Sequence, residues 1–253
     1  MDRTLEGQDA GRAGVLAALG RPVVALFVLQ MMGGMLLSPH RSFFPIYVKA
    51  LGYSAATISL LASARLVLAM AASLVGGTLS DSLGRKWTLL LGNVGFVAGS
   101  LVFLVRPVGW IGLLWAMSGF GMGLRTLGSQ SYLMDVATPS YLGILTAMYN
   151  WGYTLGGVLS SPLVGIVLER WGYGEFGVSL TLFAALAVGV NAVFLPRSSA
   201  RIEGAGTSWR KFFGYADIAG RGPILLLVLL RCLPTVYWGM ALVFIPLLLD
   251  KAA

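Results

Sequence analysis

The sequence predicts an all-α integral membrane protein with a bundle of about seven transmembrane helices. Three observations support this prediction. Of its 253 residues, 57% are hydrophobic and only 11% are charged, whereas soluble domains carry roughly 25% charged residues. Several uncharged runs reach the length of about 20 apolar residues that a helix needs to span a bilayer. Glycine is frequent, with 34 residues, as in helices that pack closely within membranes.

Turn and charge signals divide the chain into its candidate spans. Short joints that contain glycine or proline separate them, as expected where helices stop. The predicted spans are residues 23–48, 55–79, 87–106, 109–134, 141–168, 175–195 and 223–249. The predicted domains are an amino-terminal tail (1–22), a six-helix bundle (23–195), a basic loop (196–222) and the first helix of an incomplete second bundle (223–253).

The distribution of basic residues predicts the orientation of the bundle. With the amino terminus inside, the inner segments hold ten arginines and lysines and the outer segments hold four. Because inner loops carry the excess of basic residues, we expect a multi-pass protein of the plasma or inner membrane with its amino terminus in the cytoplasm. Residues 1–21 contain six charged residues and no long apolar stretch, unlike a signal peptide.

Composition and motifs exclude several functional classes. One cysteine and one histidine leave no disulfide framework and no zinc site within this chain. The basic residues behind the net charge of +8 do not cluster on one polar element, which argues against nucleic-acid binding. The sequence contains no metalloprotease or serine-hydrolase motif. We therefore predict no enzyme, no metal and no cofactor, with coupling to protons or other ions left open.

The most specific local signal is GTLSDSLGRK, the segment from Gly77 to Lys86 between the second and third spans. Gly84 permits a tight reversal, and Gly77 lets a neighbouring backbone approach. Asp81 offers a carboxylate that can pair with Arg85. The segment resembles the G-x-L-S/A-D-x-x-G-R-K/R loop of the Major Facilitator Superfamily of transporters, and every specified position matches.

A second segment, residues 135–143, resembles the junction that follows the fourth span in that family, with Leu142 where the family has an arginine. The resemblance implies that Arg85 and Asp135 form a charge relay on the cytoplasmic face. We therefore expect a conformational switch that stabilises one state, formed by Gly77, Asp81, Gly84, Arg85, Lys86 and Asp135. In the fourth span itself, Trp115 stands where the family commonly has an arginine.

A third segment, residues 157–165, resembles a fifth-helix element associated with antiporters, although Ser161 and Ile166 replace two of its glycines. The alternative interpretation is a simple helix kink at Pro162. The resemblance covers the chain after residue 22 and implies the first seven of twelve helices. We therefore expect a truncated chain whose carboxy-terminal bundle is missing.

Arginines within the spans mark a candidate pathway, because charges inside a membrane are costly. Arg125 and Arg231 each lie ten residues from a predicted inner edge, or about 15 Å at about 1.5 Å per residue, near the middle of a core about 30 Å thick. The resemblance implies that the first, fourth and seventh helices line a central cavity. The candidate substrate-binding residues are Gln30, Arg41, Arg125, Ser129, Tyr132, Arg231 and Trp238.

Two interpretations of the deep arginines stay open, because no acid falls deep within any span. The arginines form structural ion pairs with acids of absent helices, or they line a cationic cavity that binds an anionic group. The resemblance implies a secondary-active transporter that moves a small molecule by alternating access. The alternatives are an efflux protein of the drug/proton-antiporter type and a non-transporting half-length scaffold or sensor. Expected partners are the lipid bilayer, a small-molecule substrate and the missing bundle of a full-length chain.

Overall fold

The structure, a computed structural model, describes residues 20–196 and, beyond them, residues 222, 226, 230, 237 and 245. Residues 20–196 form helices joined by short turns, and no strand occurs among them. The long helices are α1 (Arg21–Ala50), α2 (Ala55–Leu83), α3 (Arg85–Leu101), α4 (Val108–Val136) and α5 (Leu142–Phe194), with 3-10 turns at Val102–Leu104 and Pro139–Tyr141. The all-α fold is confirmed, whereas the predicted domains beyond residue 196 stay predictions.

Helix α5 is two helices joined at Gly172. This residue has φ 82° and ψ −172°, a backbone conformation that glycine adopts without strain. Unbroken, 53 residues would extend about 80 Å, far beyond a hydrocarbon core of about 30 Å. The break falls between the predicted spans 141–168 and 175–195, and it separates α5a (142–171) from α5b (173–194).

Helix α5b runs back along the bundle. The Tyr173 ring lies 5.0 Å from the Tyr47 ring near the carboxyl end of α1. At the opposite end of the bundle, the Lys86 Nζ donates a 2.7 Å hydrogen bond to the Ala192 carbonyl oxygen. We call this opposite end, which contains the α2–α3 turn, the Arg85 end.

Four helical segments of the described chain are long and apolar enough to cross a membrane. They are Arg21–Ala50, Ala55–Leu83, Arg85–Leu104 and Pro139–Phe194, the last of which contains both α5a and α5b. Helix α4 has 29 residues and is not one of these four segments. These segments describe a multi-pass membrane protein, since a helix satisfies its own backbone in lipid.

Glycines bring α4 into close contact with both of its neighbours. A methyl group at Gly119 would overlap the carbonyl oxygen of Arg65 on α2, and Gly123 faces the same helix one turn later. On the other side, a methyl group at Gly121 would lie 2.5 Å from the Cα of Gly95 on α3. Small residues permit this approach of helices within a membrane.

The core consists of two apolar clusters with polar residues between them. One cluster includes Leu36, Phe96 and Trp115, and the other, nearer the Arg85 end, includes Leu29, Leu89 and Tyr132. Between the two clusters each of three helices contributes one buried polar side chain. These side chains are Gln30 on α1, Asn93 on α3 and Arg125 on α4, and we call them the polar layer.

Candidate functional site

Arg125 joins three helices within the polar layer. The side chain is 5% exposed, and its Nε donates to the Asn93 Oδ1 at 3.1 Å. Its Nη2 donates to the Leu29 carbonyl oxygen on α1 at 2.8 Å, and its Cζ lies 5.4 Å from the centroid of the Phe96 ring. No carboxylate among residues 20–196 forms an ion pair with it; the ion pairs found there belong to Arg85.

Glycines on the facing helices leave room for this arginine. A methyl group at Gly33 on α1 would overlap the Arg125 guanidinium. A methyl group at Gly92 on α3 would lie 2.6 Å from the Arg125 Cβ. The α1 and α3 sequences are therefore matched to a large side chain at this position on α4.

The other predicted binding residues of α1 and α4 are also buried. The Gln30 Oε1 has no hydrogen-bond partner among the described residues. The Ser129 Oγ lies 2.6 Å from the Tyr149 Oη on α5a, and the Tyr132 hydroxyl donates to the Pro196 carbonyl oxygen at 3.2 Å. The face of α4 that holds Arg125, Ser129 and Tyr132 thus points into the bundle.

The remaining predicted binding residues are more scattered. Arg41 is half-buried near the carboxyl end of α1. Arg231 and Trp238 lie outside the described residues. A substrate-binding role for these seven residues stays a prediction.

Helix α5a carries a row of exposed polar side chains that sequence reasoning missed. The row, which we call the polar stripe, consists of Thr146, Asn150, Thr154 and Ser161. Each donates to the carbonyl oxygen four residues earlier, at 2.7–3.1 Å. The Ser161 Oγ also lies 3.5 Å from the Ser38 Oγ on α1. The signal that could have found the stripe is its spacing, because residues 146, 150, 154 and 161 lie on one face of a helix.

At the Arg85 end, Arg85 joins two carboxylates from different helices. Its Nη1 lies 2.6 Å from the Asp81 Oδ1, and its Nε lies 3.3 Å from the Asp135 Oδ2. The Nη1 also donates to the Ser80 Oγ at 2.9 Å. The guanidinium therefore ties the α2–α3 turn to the carboxyl end of α4. This is the Arg85–Asp135 contact that the resemblance implies; its role as a conformational switch stays a prediction.

The other residues singled out by the motifs lie at a helix boundary or within a helix. Gly84 has φ 94° and ψ 152°, and it ends α2 and begins α3, so the chain reverses where the motif predicts. Gly77 lies within α2, and Pro162 lies within α5a without a break in the helical backbone there. A functional role for Gly77 and a kink at Pro162 stay predictions.

A sequence model of the Major Facilitator Superfamily matches residues 23–252. The chain belongs to this family. The resemblance drawn from the Gly77–Lys86 loop is thereby confirmed, and the buried arginine, the polar stripe and the Arg85 ion pairs are features of a Major Facilitator Superfamily protein.

The relatives of this chain within the Major Facilitator Superfamily are named as sugar transporters. It is 33% identical over 147 residues to human "Solute carrier family 2, facilitated glucose transporter member 10", which covers 57% of this chain and 27% of that protein. It is 24% identical over 228 residues to "Sugar transport protein 1" of Arabidopsis thaliana, which covers 81% of this chain and 43% of that protein. The chain thus matches less than half the length of either relative.

Solved structures show the same family fold. A peptide transporter POT mutant in complex with alafosfalin superimposes with a TM-score of 0.61 at 18% identity, over 82% of this chain and 46% of that chain. The same transporter in complex with sulfate gives a TM-score of 0.58, over 90% of this chain and 49% of that chain. At this identity the similarity concerns the fold.

Proposed function

We propose that the protein is a secondary-active transporter that moves a small, neutral, hydroxyl-rich solute across the cell membrane by alternating access. The observation that carries the proposal is the polar stripe on α5a. On the next face of the same helix, Trp151, Leu155 and Val158 are exposed and apolar, as suits lipid. The Asn150 amide keeps a second N–H and its oxygen beyond its backbone hydrogen bond, and such groups are costly in hydrocarbon, so we infer that the stripe faces an aqueous pathway.

The chemistry of the stripe suits hydroxyl groups. Three hydroxyls and one amide are spaced along the helix, and each hydroxyl whose hydrogen is donated to the backbone keeps lone pairs that accept from a ligand. The stripe contains no charge, which favours a neutral solute over an ion. The names of the relatives as glucose and sugar transporters support a sugar as the substrate class.

An anionic substrate held by Arg125 is the second candidate, and the observation that favours it is a buried guanidinium without a carboxylate partner in the described chain. Two of its nitrogens already donate to Asn93 and Leu29. An anion would therefore reach Arg125 only in a state in which α1 has moved away from α4. This requirement makes the anion the second candidate.

The Arg85 ion pairs supply the conformational step. In the proposed mechanism they stabilise the state in which the α2–α3 turn and the end of α4 are together, and they break in the other state. We place the Arg85 end on the cytoplasmic side, together with the amino terminus, because of the excess of basic residues in the inner segments.

The experiment measures ligand-dependent melting temperature of the purified chain in lipid nanodiscs, with D-glucose and glucose 6-phosphate as probes. Stabilisation by glucose that Thr154→Val weakens supports the first candidate. The matched control is Thr181→Val, since Thr181 makes the same backbone hydrogen bond on α5b. Stabilisation by glucose 6-phosphate alone, lost in Arg125→Lys, would replace the first candidate with the second.

Two other outcomes would overturn both candidates. Stabilisation by a lipophilic cation such as tetraphenylphosphonium, with neither sugar active, would favour efflux of the drug/proton-antiporter type. Stabilisation by none of the three probes would favour the scaffold or sensor.

A further inference from the structure

A second buried arginine lies in a separate polar group, far from the Arg85 end. We call this group the Trp115 cluster and define it as His40, Arg65, Ser100, Trp115 and Ser118. The relative exposures are 0% for His40, 5% for Arg65 and 3% for Trp115. Charged and polar side chains at this depth require partners.

Contacts within the cluster satisfy only part of its polar groups. The Arg65 Cζ lies 4.3 Å from the centroid of the Trp115 ring, and the Arg65 Nε donates to the Ser118 Oγ at 3.1 Å. The His40 Nε2 lies 3.1 Å from the Ser100 Oγ. The His40 ring stands at 84° to the Trp115 ring, with a centroid distance of 6.1 Å.

Three nitrogens around the Trp115 indole have no hydrogen-bond partner among the described residues. They are the Arg65 Nη2, the Trp115 Nε1 and the His40 Nδ1, and each is shielded from solvent. The first two can only donate. The Ser100 hydroxyl donates to the Phe96 carbonyl oxygen, so the His40 Nε2 donates to Ser100 and the His40 Nδ1 carries no hydrogen. No carboxylate of residues 20–196 forms an ion pair with Arg65; those found there belong to Arg85. The cluster therefore has an excess of donors and an uncompensated positive charge.

We propose that a small monovalent anion, chloride under cellular conditions, binds in the Trp115 cluster. An anion accepts from the Arg65 Nη2 and the Trp115 Nε1 and neutralises the guanidinium, whereas a water molecule would leave the charge uncompensated. A methyl group at Gly99 would lie 2.9 Å from the Ser118 Cβ and 3.1 Å from the His40 Cε1, so the packing around the cluster is close and favours the smallest anion. This site does not depend on the proposed substrate.

The test measures the melting temperature of the purified chain in nanodiscs as chloride replaces gluconate at constant ionic strength. We expect a saturable rise in melting temperature with chloride, absent in Arg65→Gln. The exposed Arg106 supplies the matched control, and Arg106→Gln should keep the response. A melting temperature that does not respond to chloride in the unchanged protein would overturn the proposal, as would an equal response in Arg65→Gln.

Trp115→Phe tests the same site without removing the arginine, in case Arg65→Gln does not fold. The phenyl ring keeps an aromatic face for Arg65 but lacks the Nε1 donor, so we expect the apparent chloride affinity to fall about tenfold, the effect of about 1.4 kcal/mol. Bromide, which quenches indole fluorescence on contact, should give a saturable quenching component that Trp115→Phe removes. Quenching that is linear in bromide and equal in both proteins would contradict the proposal.

Discussion

The Arg125 Nε on α4 donates a 3.1 Å hydrogen bond to the Asn93 Oδ1 on α3, midway between the two apolar clusters. Both side chains are buried, so neither can replace its partner with water. A buried polar group that loses its partner costs about 1–3 kcal/mol, and more if it is charged. The pair therefore contributes to the stability of the bundle as well as to any later role of Arg125.

Asn93→Ala should lower the free energy of unfolding by about 2–3 kcal/mol, because it leaves the Arg125 Nε without an acceptor. Unfolding in mixed micelles with increasing dodecyl sulfate provides the measurement. Val94→Ala, at the neighbouring exposed position on α3, serves as the control and should change stability by less than about 0.5 kcal/mol. Equal stabilities of the two variants would show that the hydrogen bond contributes nothing.

Arg125→Lys should destabilise the bundle even though it keeps the charge. An ammonium lacks the planar fork that lets Arg125 reach Asn93 and Leu29 together. We expect a loss of about 2–4 kcal/mol, in the range for a charge-assisted contact in a buried site. The double variant Asn93→Ala/Arg125→Lys should lose less than the sum of the single losses, because both changes remove the same hydrogen bond. Strict additivity would count against the contact.

Arg85→Ala and Asp135→Asn should each slow the interchange of states without preventing membrane insertion. The rate of D-glucose uptake by cells provides the measurement, and surface labelling checks how much of each variant is inserted. The Arg85 side chain is 15% exposed, so we expect a coupling energy near the upper end of the range for surface pairs, about 1 kcal/mol. Glu175→Gln, an exposed acid near Gly172, is the control. Normal rates in both variants would exclude the switch.

Gly156→Ala should destabilise the contact between α1 and α5a by about 1–3 kcal/mol, the usual cost of overpacking. A methyl group there would overlap the Met31 carbonyl oxygen, a backbone atom that cannot move aside, whereas at Gly165 on the same helix it would meet no atom within 4 Å. Gly165→Ala should therefore stabilise the helix by up to about 1 kcal/mol. Thermal unfolding in detergent compares the two, and a stable Gly156→Ala protein would mean that the helices are farther apart.

Gly172→Ala should cost about 1–3 kcal/mol through backbone strain, because φ is 82° at this position. Gly174→Ala is the matched control, since Gly174 lies two residues away, has no positive φ and has open space around it. Thermal unfolding again provides the measurement. If both variants unfold at the same temperature, Gly172 is not the residue at which the chain turns.

Helix boundaries could be predicted from the sequence because local chemistry determines them. Gly52, Gly84 and Gly172 occur between predicted spans, and each has a positive φ in the structure. The contact between Arg85 and Asp135 could be anticipated only through the family motif. Fifty residues separate the two along the chain, and no local pattern relates them.

The environment of Arg125 could not be predicted from the sequence. Helical periodicity places Ser118, Arg125, Ser129 and Tyr132 on one face, but it does not reveal what that face meets. The structure buries all four. Asn93 was not predicted because it lies in an uncharged run, where a single amide hardly changes the mean hydropathy. Its partner is on another helix, and tertiary packing alone brings them together.

The glycines of α4 limit the substitutions that this helix tolerates. Gly119 and Gly123 contact α2, and Gly121 contacts α3. A larger side chain at any of these alternate positions would therefore collide with a backbone, on one side of α4 or the other. A saturation scan across residues 119–123 would then show intolerance at every second residue, a periodicity expected of a strand. At these crossings the backbones are in direct contact, with no layer of side chains between them, so α4 is held closely against both neighbours. We therefore expect helices α2, α3 and α4 to keep their mutual packing when the bundle changes state.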